Sequence, residues 1–107
     1  LARSKGADTF WALGPWIDTN FQPDSQKIQG YHNDSILREG RLSDRLWKES
    51  DLLTWLSSWI TLNPGDVILT GTPKRVRDRQ YLDNGDYFKC TIDGLGELIN
   101  PYKYLHV

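Results

Sequence analysis

The chain has 107 residues, with 13 basic against 14 acidic side chains and a net charge of −1, so it forms one domain at most, around a modest core. A balance this even gives no electrostatic reason to expect a nucleic acid or an anionic membrane as partner. No stretch approaches the ~20 apolar residues of a membrane helix, no signal-peptide pattern opens the chain, and the single cysteine, Cys90, excludes an intrachain disulfide.

The first 23 residues combine Gly6, Gly14, Pro15 and Pro23 with Phe10, Trp11, Trp16 and Phe21. Breakers at this density argue against a helix or a long strand. An irregular loop over a core is expected, with Pro15-Trp16-Ile17 leading into a short extended piece. Residues 27–39 read as a hairpin: Lys27 to Tyr31 runs out, Asn33-Asp34 tolerates left-handed turn geometry, and Ile36-Leu37-Arg38 returns.

One helix is expected near residues 44–60. Its clearest part starts at Ser50 as N-cap, with Asp51 where a carboxylate meets the positive helix end. Leu52, Leu53, Leu56, Trp59 and Ile60 recur at three- and four-residue spacing and give one apolar face, which Trp55 widens. Asn63-Pro64-Gly65-Asp66 stops the helix in a turn.

The rest reads as β. Val67-Ile68-Leu69-Thr70 is apolar enough to be a strand buried on both faces. A polar loop from Lys74 to Asn84 closes at Asn84-Gly85. From Tyr87 to Ile92 the residues alternate, with Phe88, Cys90 and Ile92 on one face and Tyr87, Lys89 and Thr91 on the other. Leu98 and Ile99 begin a last strand. The expected class is therefore mainly β (α+β) with one amphipathic helix, and several strands lack neighbours within the chain, which implies a larger sheet.

Few residues could carry chemistry. His32 and His106 are far apart, without metal-ligand spacing; His32, beside a turn, is expected to be solvated, and His106 adjoins the C-terminus. The acidic pair Glu49-x-Asp51 sits at a helix start, where compensation of the helix dipole outweighs metal binding. Two segments resist such readings. Lys5 lies in an aromatic, Gly/Pro-punctuated stretch through Leu13-Gly14-Pro15-Trp16. Thr70-Gly71-Thr72-Pro73 ends an apolar run, presenting hydroxyls and backbone N–H groups where Gly71 admits a ligand close to the main chain. That equipment suits a carboxylate or an enolate oxygen.

The blocks "KGADTFWALGPWI" and "LNPGDVILTGTPKRV", with a helix just before the second, together with the tail "GDYFKCTIDGLGELINP", resemble the signature blocks of the fumarylacetoacetate hydrolase family. Within that family the look is nearest to the 2-hydroxyhepta-2,4-diene-1,7-dioate isomerase and 5-oxopent-3-ene-1,2,5-tricarboxylate decarboxylase type. The resemblance covers nearly the whole chain. It implies a rolled, mixed-sheet catalytic domain, dimeric when complete, centred on Mg²⁺, Mn²⁺ or Ca²⁺. The family's Glu-x-Glu pair and aspartate, which hold the metal, precede the lysine block, so no direct carboxylate ligand maps onto this chain. Lys5 matches the family lysine beside the metal and is the expected catalytic residue. Thr9 matches a threonine of the same polar cluster. Gly71 and Thr72 match the substrate-contacting tip.

Departures from the family pattern bear on the substrate. Arg38 stands where glutamine is common, Arg45 where an apolar methionine is usual, and Arg75 where glycine follows Thr-Gly-Thr-Pro-x. A charge at position 45 costs several kcal/mol if buried without a partner.

The resemblance implies a cation-dependent enzyme acting on small 2-oxo, β-diketo or hydroxy-dienoate acids through an enolate. Carbon–carbon hydrolysis, decarboxylation and isomerisation in aromatic breakdown are its branches. The chain starts at Leu1 and has no methionine, and residues 1–107 are expected to be the C-terminal portion of one catalytic domain. The alternative is a non-catalytic fragment or assembly piece without the metal ligands. A single cysteine fits a reducing compartment, and the cytoplasm is the expected location.

Overall fold

A computed structural model describes residues 2–105. It contains α1 (Ala2–Lys5), β1 (Lys27–His32), β2 (Ser35–Arg41), a 3-10 turn (Leu42–Asp44), α2 (Glu49–Ser57), β3 (Tyr87–Ile92) and β4 (Gly96–Pro101). The four strands make one antiparallel sheet in the order β2-β1-β3-β4. Asn33 turns the β1–β2 hairpin at φ 52°, which its short polar side chain tolerates. Its N–H then donates to the Tyr87 carbonyl at 2.9 Å, which joins this turn to the start of β3.

Directly opposed residues share a sheet face. One row runs Gly40, Ile28, Ile92, Gly96, and the next runs Arg38, Gly30, Cys90, Leu98. The opposite face is polar. There Gln29 donates to Glu39, Tyr31 donates to Gln29, and the Lys89 ammonium lies 4.4 Å above the Tyr31 ring and 3.9 Å from Glu97.

The apolar face receives two crossing segments, one at each edge. At the β4 edge a Cβ on Gly96 would come within 3.0 Å of the Trp16 ring; at the β2 edge a Cβ on Gly40 would come within 3.1 Å of Pro73. The segments that carry Lys5 and Thr72 therefore continue into residues packed over the same side of the sheet.

That side is not closed. Among the described residues Gly30 alone is buried, and no large apolar side chain is. The accessible surface is 9012 Å², against about 6,100 Å² expected for a compact chain of this mass. The radius of gyration is 15.4 Å, against about 13 Å. Trp11, Trp16, Ile17, Trp47, Trp55 and Leu69 are all more than half exposed.

Mainly-β architecture with one amphipathic helix is what the pattern implied, and the four strands of this chain pair antiparallel. Three details differ. The irregular N-terminal stretch opens with the single turn of α1. The helix is shorter than 44–60, and its N-cap position is Lys48, not Ser50; a 3-10 turn and a bent, non-helical link occupy the preceding residues. Thr54 donates to the Ser50 carbonyl at 2.8 Å, so Ser50 lies inside the helix. Finally, Val67–Thr70 forms no strand, because no backbone hydrogen bond among the described residues gives it a partner. No helix among them is long and apolar enough to cross a membrane.

Candidate functional site

The Thr-Gly-Thr-Pro segment follows a closed turn and is anchored on β2 just after it. Upstream, the Asp66 carboxylate accepts the Asn63 N–H at 2.7 Å while Asp66 N–H donates to the Asn63 carbonyl at 3.0 Å, which closes the turn after α2. Downstream, residues 73–76 are held on β2. Glu39 N–H donates to the Lys74 carbonyl at 3.2 Å, Val76 N–H to the Leu37 carbonyl at 3.0 Å, and the Arg38 guanidinium to the Pro73 carbonyl at 2.8 Å. Gly71 bends the chain at φ 109°, and a Cβ there would meet nothing within 4 Å. The main chain at this tip is open to an approaching group.

A half-open concavity of about 990 Å³ lies between α2, β1–β2 and this segment. Ile28, Leu52, Trp55 and Leu56 give it apolar lining, and Gly71 and Thr72 line it as well. The volume matches the top of the range for small-molecule sites. Lys5 ends α1, exposed, and Thr9 lies in the following loop, also exposed. Neither is among the residues lining the concavity. Thr9 has φ 69°, an unusual conformation for a β-branched residue and one that costs on the order of 1–3 kcal/mol. Among the described residues no three His, Cys, Asp or Glu side chains gather to hold a metal.

Two of the three arginine departures, Arg38 and Arg45, have main-chain or ionic partners. Arg45 donates to the Leu42 carbonyl at 2.7 Å and pairs with Glu49 one helical turn on, so its charge is neither buried nor alone. Arg38 and Arg75 face each other across an isolated bridge between β2 and the loop after Pro73. Glu49 and Asp51 occupy the first turn of α2, and Glu49 is committed to Arg45.

His32 is not solvated as its position beside a turn suggested. Its side chain is only 14% exposed, with Nε2 2.6 Å from Asp86 and Nδ1 3.1 Å from Gln80. Asp86 also accepts from the Asn33 side chain at 2.9 Å and from the Asp83 N–H at 2.8 Å. With both ring nitrogens engaged, His32 ties the far end of the 73–86 loop to β1. A sequence signal existed in the Asn33-Asp34 turn and the Gly85-Asp86 turn, but nothing in the sequence paired them. His106 lies outside the described residues.

The cluster makes stability depend on pH. Hydrogen bonds from Asn33 and Asp83, and then His32, hold the Asp86 carboxyl down at about 2. The hydrogen bond to Asp86 raises the His32 pKa above 6.5. A lowered carboxyl contributes stability that is present above its unfolded value of 3.8 and is lost as pH falls toward 2. A raised imidazole contributes stability that is full below 6.5 and is lost as pH rises through its folded value. The pair therefore stabilises most between those unfolded values. Urea midpoints should fall from pH 5.5 to pH 8.5 in the wild type, and His32→Gln should flatten that slope. An equal slope in both proteins would remove the pair as its source.

The sequence matches the family description "Fumarylacetoacetate (FAA) hydrolase C-terminal" over residues 1–103. The chain belongs to the fumarylacetoacetate hydrolase family. Among curated relatives, rat oxaloacetate tautomerase Fahd2a, mitochondrial, is 38% identical over 103 residues, covering 90% of this chain and 33% of that protein. Among solved structures, 5-carboxymethyl-2-hydroxymuconate delta-isomerase from Mycobacterium smegmatis superposes with a TM-score of 0.84 at 41% identity, covering 92% of this chain and 38% of that one. The 2-hydroxyhepta-2,4-diene-1,7-dioate isomerase from Mycobacterium marinum gives 0.81 at 36%, with the same coverage of both chains. The chain thus spans between 33% and 38% of the length of these fumarylacetoacetate hydrolase-family relatives.

Proposed function

We propose that this chain supplies the lysine and the threonine tip of a divalent-cation-dependent active site that acts on small 2-oxo or hydroxy-dienoate acids. The observation that carries the reading is the tip itself: an open main chain at Gly71, with Gly71 and Thr72 lining a concavity, anchored on β2 immediately afterwards. The names of the relatives, a tautomerase and two isomerases of oxo or hydroxy-dienoate acids, support that substrate class.

Among the described residues no ligand set for the cation gathers, and in this reading its carboxylates come from other polypeptide of the assembled protein. This chain's part is electrostatic and orienting. The Lys5 ammonium places fixed positive charge where an enolate oxygen develops negative charge. The Thr72 hydroxyl and the backbone N–H groups at the tip bind the substrate's oxygens and set their direction.

The uncovered surface supports an assembled state. The surplus of about 2,900 Å² over a compact chain is on the scale of an obligate interface. Polypeptide covering the apolar side of the sheet would complete both core and site, in an assembly that is a homodimer in the cytoplasm. A separately encoded covering chain is the second reading, favoured by the same surface.

The test is turnover by the assembled protein with Mg²⁺ against an acylpyruvate, oxaloacetate and a hydroxy-dienoate, beside calorimetry of this chain alone. We expect turnover of at least one acid and no stoichiometric Mg²⁺ uptake by the isolated chain. Failure on all three acids would sink the substrate class. Tight uptake by the chain alone would place ligands within it.

A further inference from the structure

We propose that Arg38 is a positioning residue that holds the Thr72 tip in its substrate-contacting place, a role that rests on the reading of Thr72 given above. The sheet delivers Arg38 to this task. Its row partner across β1 is Gly30, the one buried residue among those described. A Cβ on Gly30 would lie 3.5 Å from the Arg38 Cβ and 3.0 Å from the Phe88 ring, so the base of the arginine stem packs closely against the strand. The guanidinium then reaches over the β2 edge to the Pro73 carbonyl at 2.8 Å.

Pro73 directly follows Thr72, and proline fixes one of its two backbone angles. Gripping its carbonyl therefore sets the direction from which the chain leaves the tip. Two main-chain bonds continue the anchor, from Glu39 to Lys74 and from Val76 to Leu37. Gly40 lets Pro73 settle against β2. Upstream of Thr72, by contrast, no backbone bond among the described residues holds 67–71. The tip hangs from its C-terminal side. Arg38 provides a side-chain hydrogen bond to the residue that directly follows Thr72.

Arg38→Met tests this, because methionine keeps much of the apolar stem and removes every donor. In the assembled protein, exchange of the Glu39 and Val76 amides, whose bonds continue the anchor, should quicken about tenfold, while the β3–β4 hairpin exchanges as before. The KM for the oxo acid should rise about tenfold, with kcat within about twofold. Arg38→Lys, which keeps one donor, should recover most of both effects.

Unchanged exchange at Glu39 and Val76 overturns the proposal. So does a rise shared equally by the hairpin, which would make Arg38 a general structural residue. Faster exchange with an unchanged KM overturns it as well, since the tip would then move without consequence for binding. If the wild type turns over none of the three acids, the substrate reading fails by itself, and the exchange result still decides whether Arg38 anchors the tip.

Discussion

Replacing Lys5 with alanine in the assembled protein is expected to lower kcat by about 10²–10³-fold, the loss found when one preorganised charge or donor is taken from a developing oxyanion. The fold should survive. Lys5 is exposed at the end of α1 and has no ion-pair partner among the described residues, so its removal leaves no cavity and no stranded charge. An urea midpoint within error of the wild type, together with the kinetic loss, separates chemistry from folding. A near-normal rate would take Lys5 out of the mechanism.

Gly96→Val is expected to cost about 3 kcal/mol of stability, from two sources that add. Gly96 sits at φ 83°, where a side chain costs about 1–2 kcal/mol. Its Cβ would also come within 3.0 Å of the Trp16 ring, and overpacking of that kind costs about 1–3 kcal/mol. The two parts can be told apart in urea. Trp16→Ala in the Gly96→Val background should return the overpacking part, although the same change destabilises the wild type. If Trp16→Ala costs as much in the variant as in the wild type, Trp16 does not pack on the β4 edge.

Local chemistry made some of this fold legible in the sequence. Asn33-Asp34 announced the β1–β2 turn because asparagine accepts a positive φ, and the alternation from Tyr87 to Ile92 announced β3 because one of its faces is apolar. What depended on distant partners was not legible. The β1–β3 pairing joins Ile28 to Ile92 across a long excursion that leaves no periodic trace. His32 was misjudged for the same reason, since its partner Asp86 lies 54 residues away.

Val67–Thr70 failed in the opposite sense. Its apolar run is right for a buried strand, yet a strand exists only when another supplies hydrogen bonds. The helix starts after Lys48 and not Ser50, with Glu49 and Asp51 both in its first turn, where acidic side chains meet the positive helix end. At the site, residue chemistry alone pointed to the Thr-Gly-Thr-Pro tip, and geometry put Thr72 in the lining of a concavity. The role of Lys5 came from the family blocks, because a lone exposed lysine carries no signal of its own.

The claim on which the rest stands is that an ammonium from the first turn and a hydroxyl from the 70–73 tip act on one bound molecule. A kinetic double-mutant cycle of Lys5→Ala and Thr72→Val, read as kcat/KM in the assembled protein, tests it most directly. Groups that share a transition state lose activity non-additively, so the double variant should retain about tenfold more activity than the two single losses multiplied together would leave. Losses that multiply cleanly would mean the two residues serve different places on the protein.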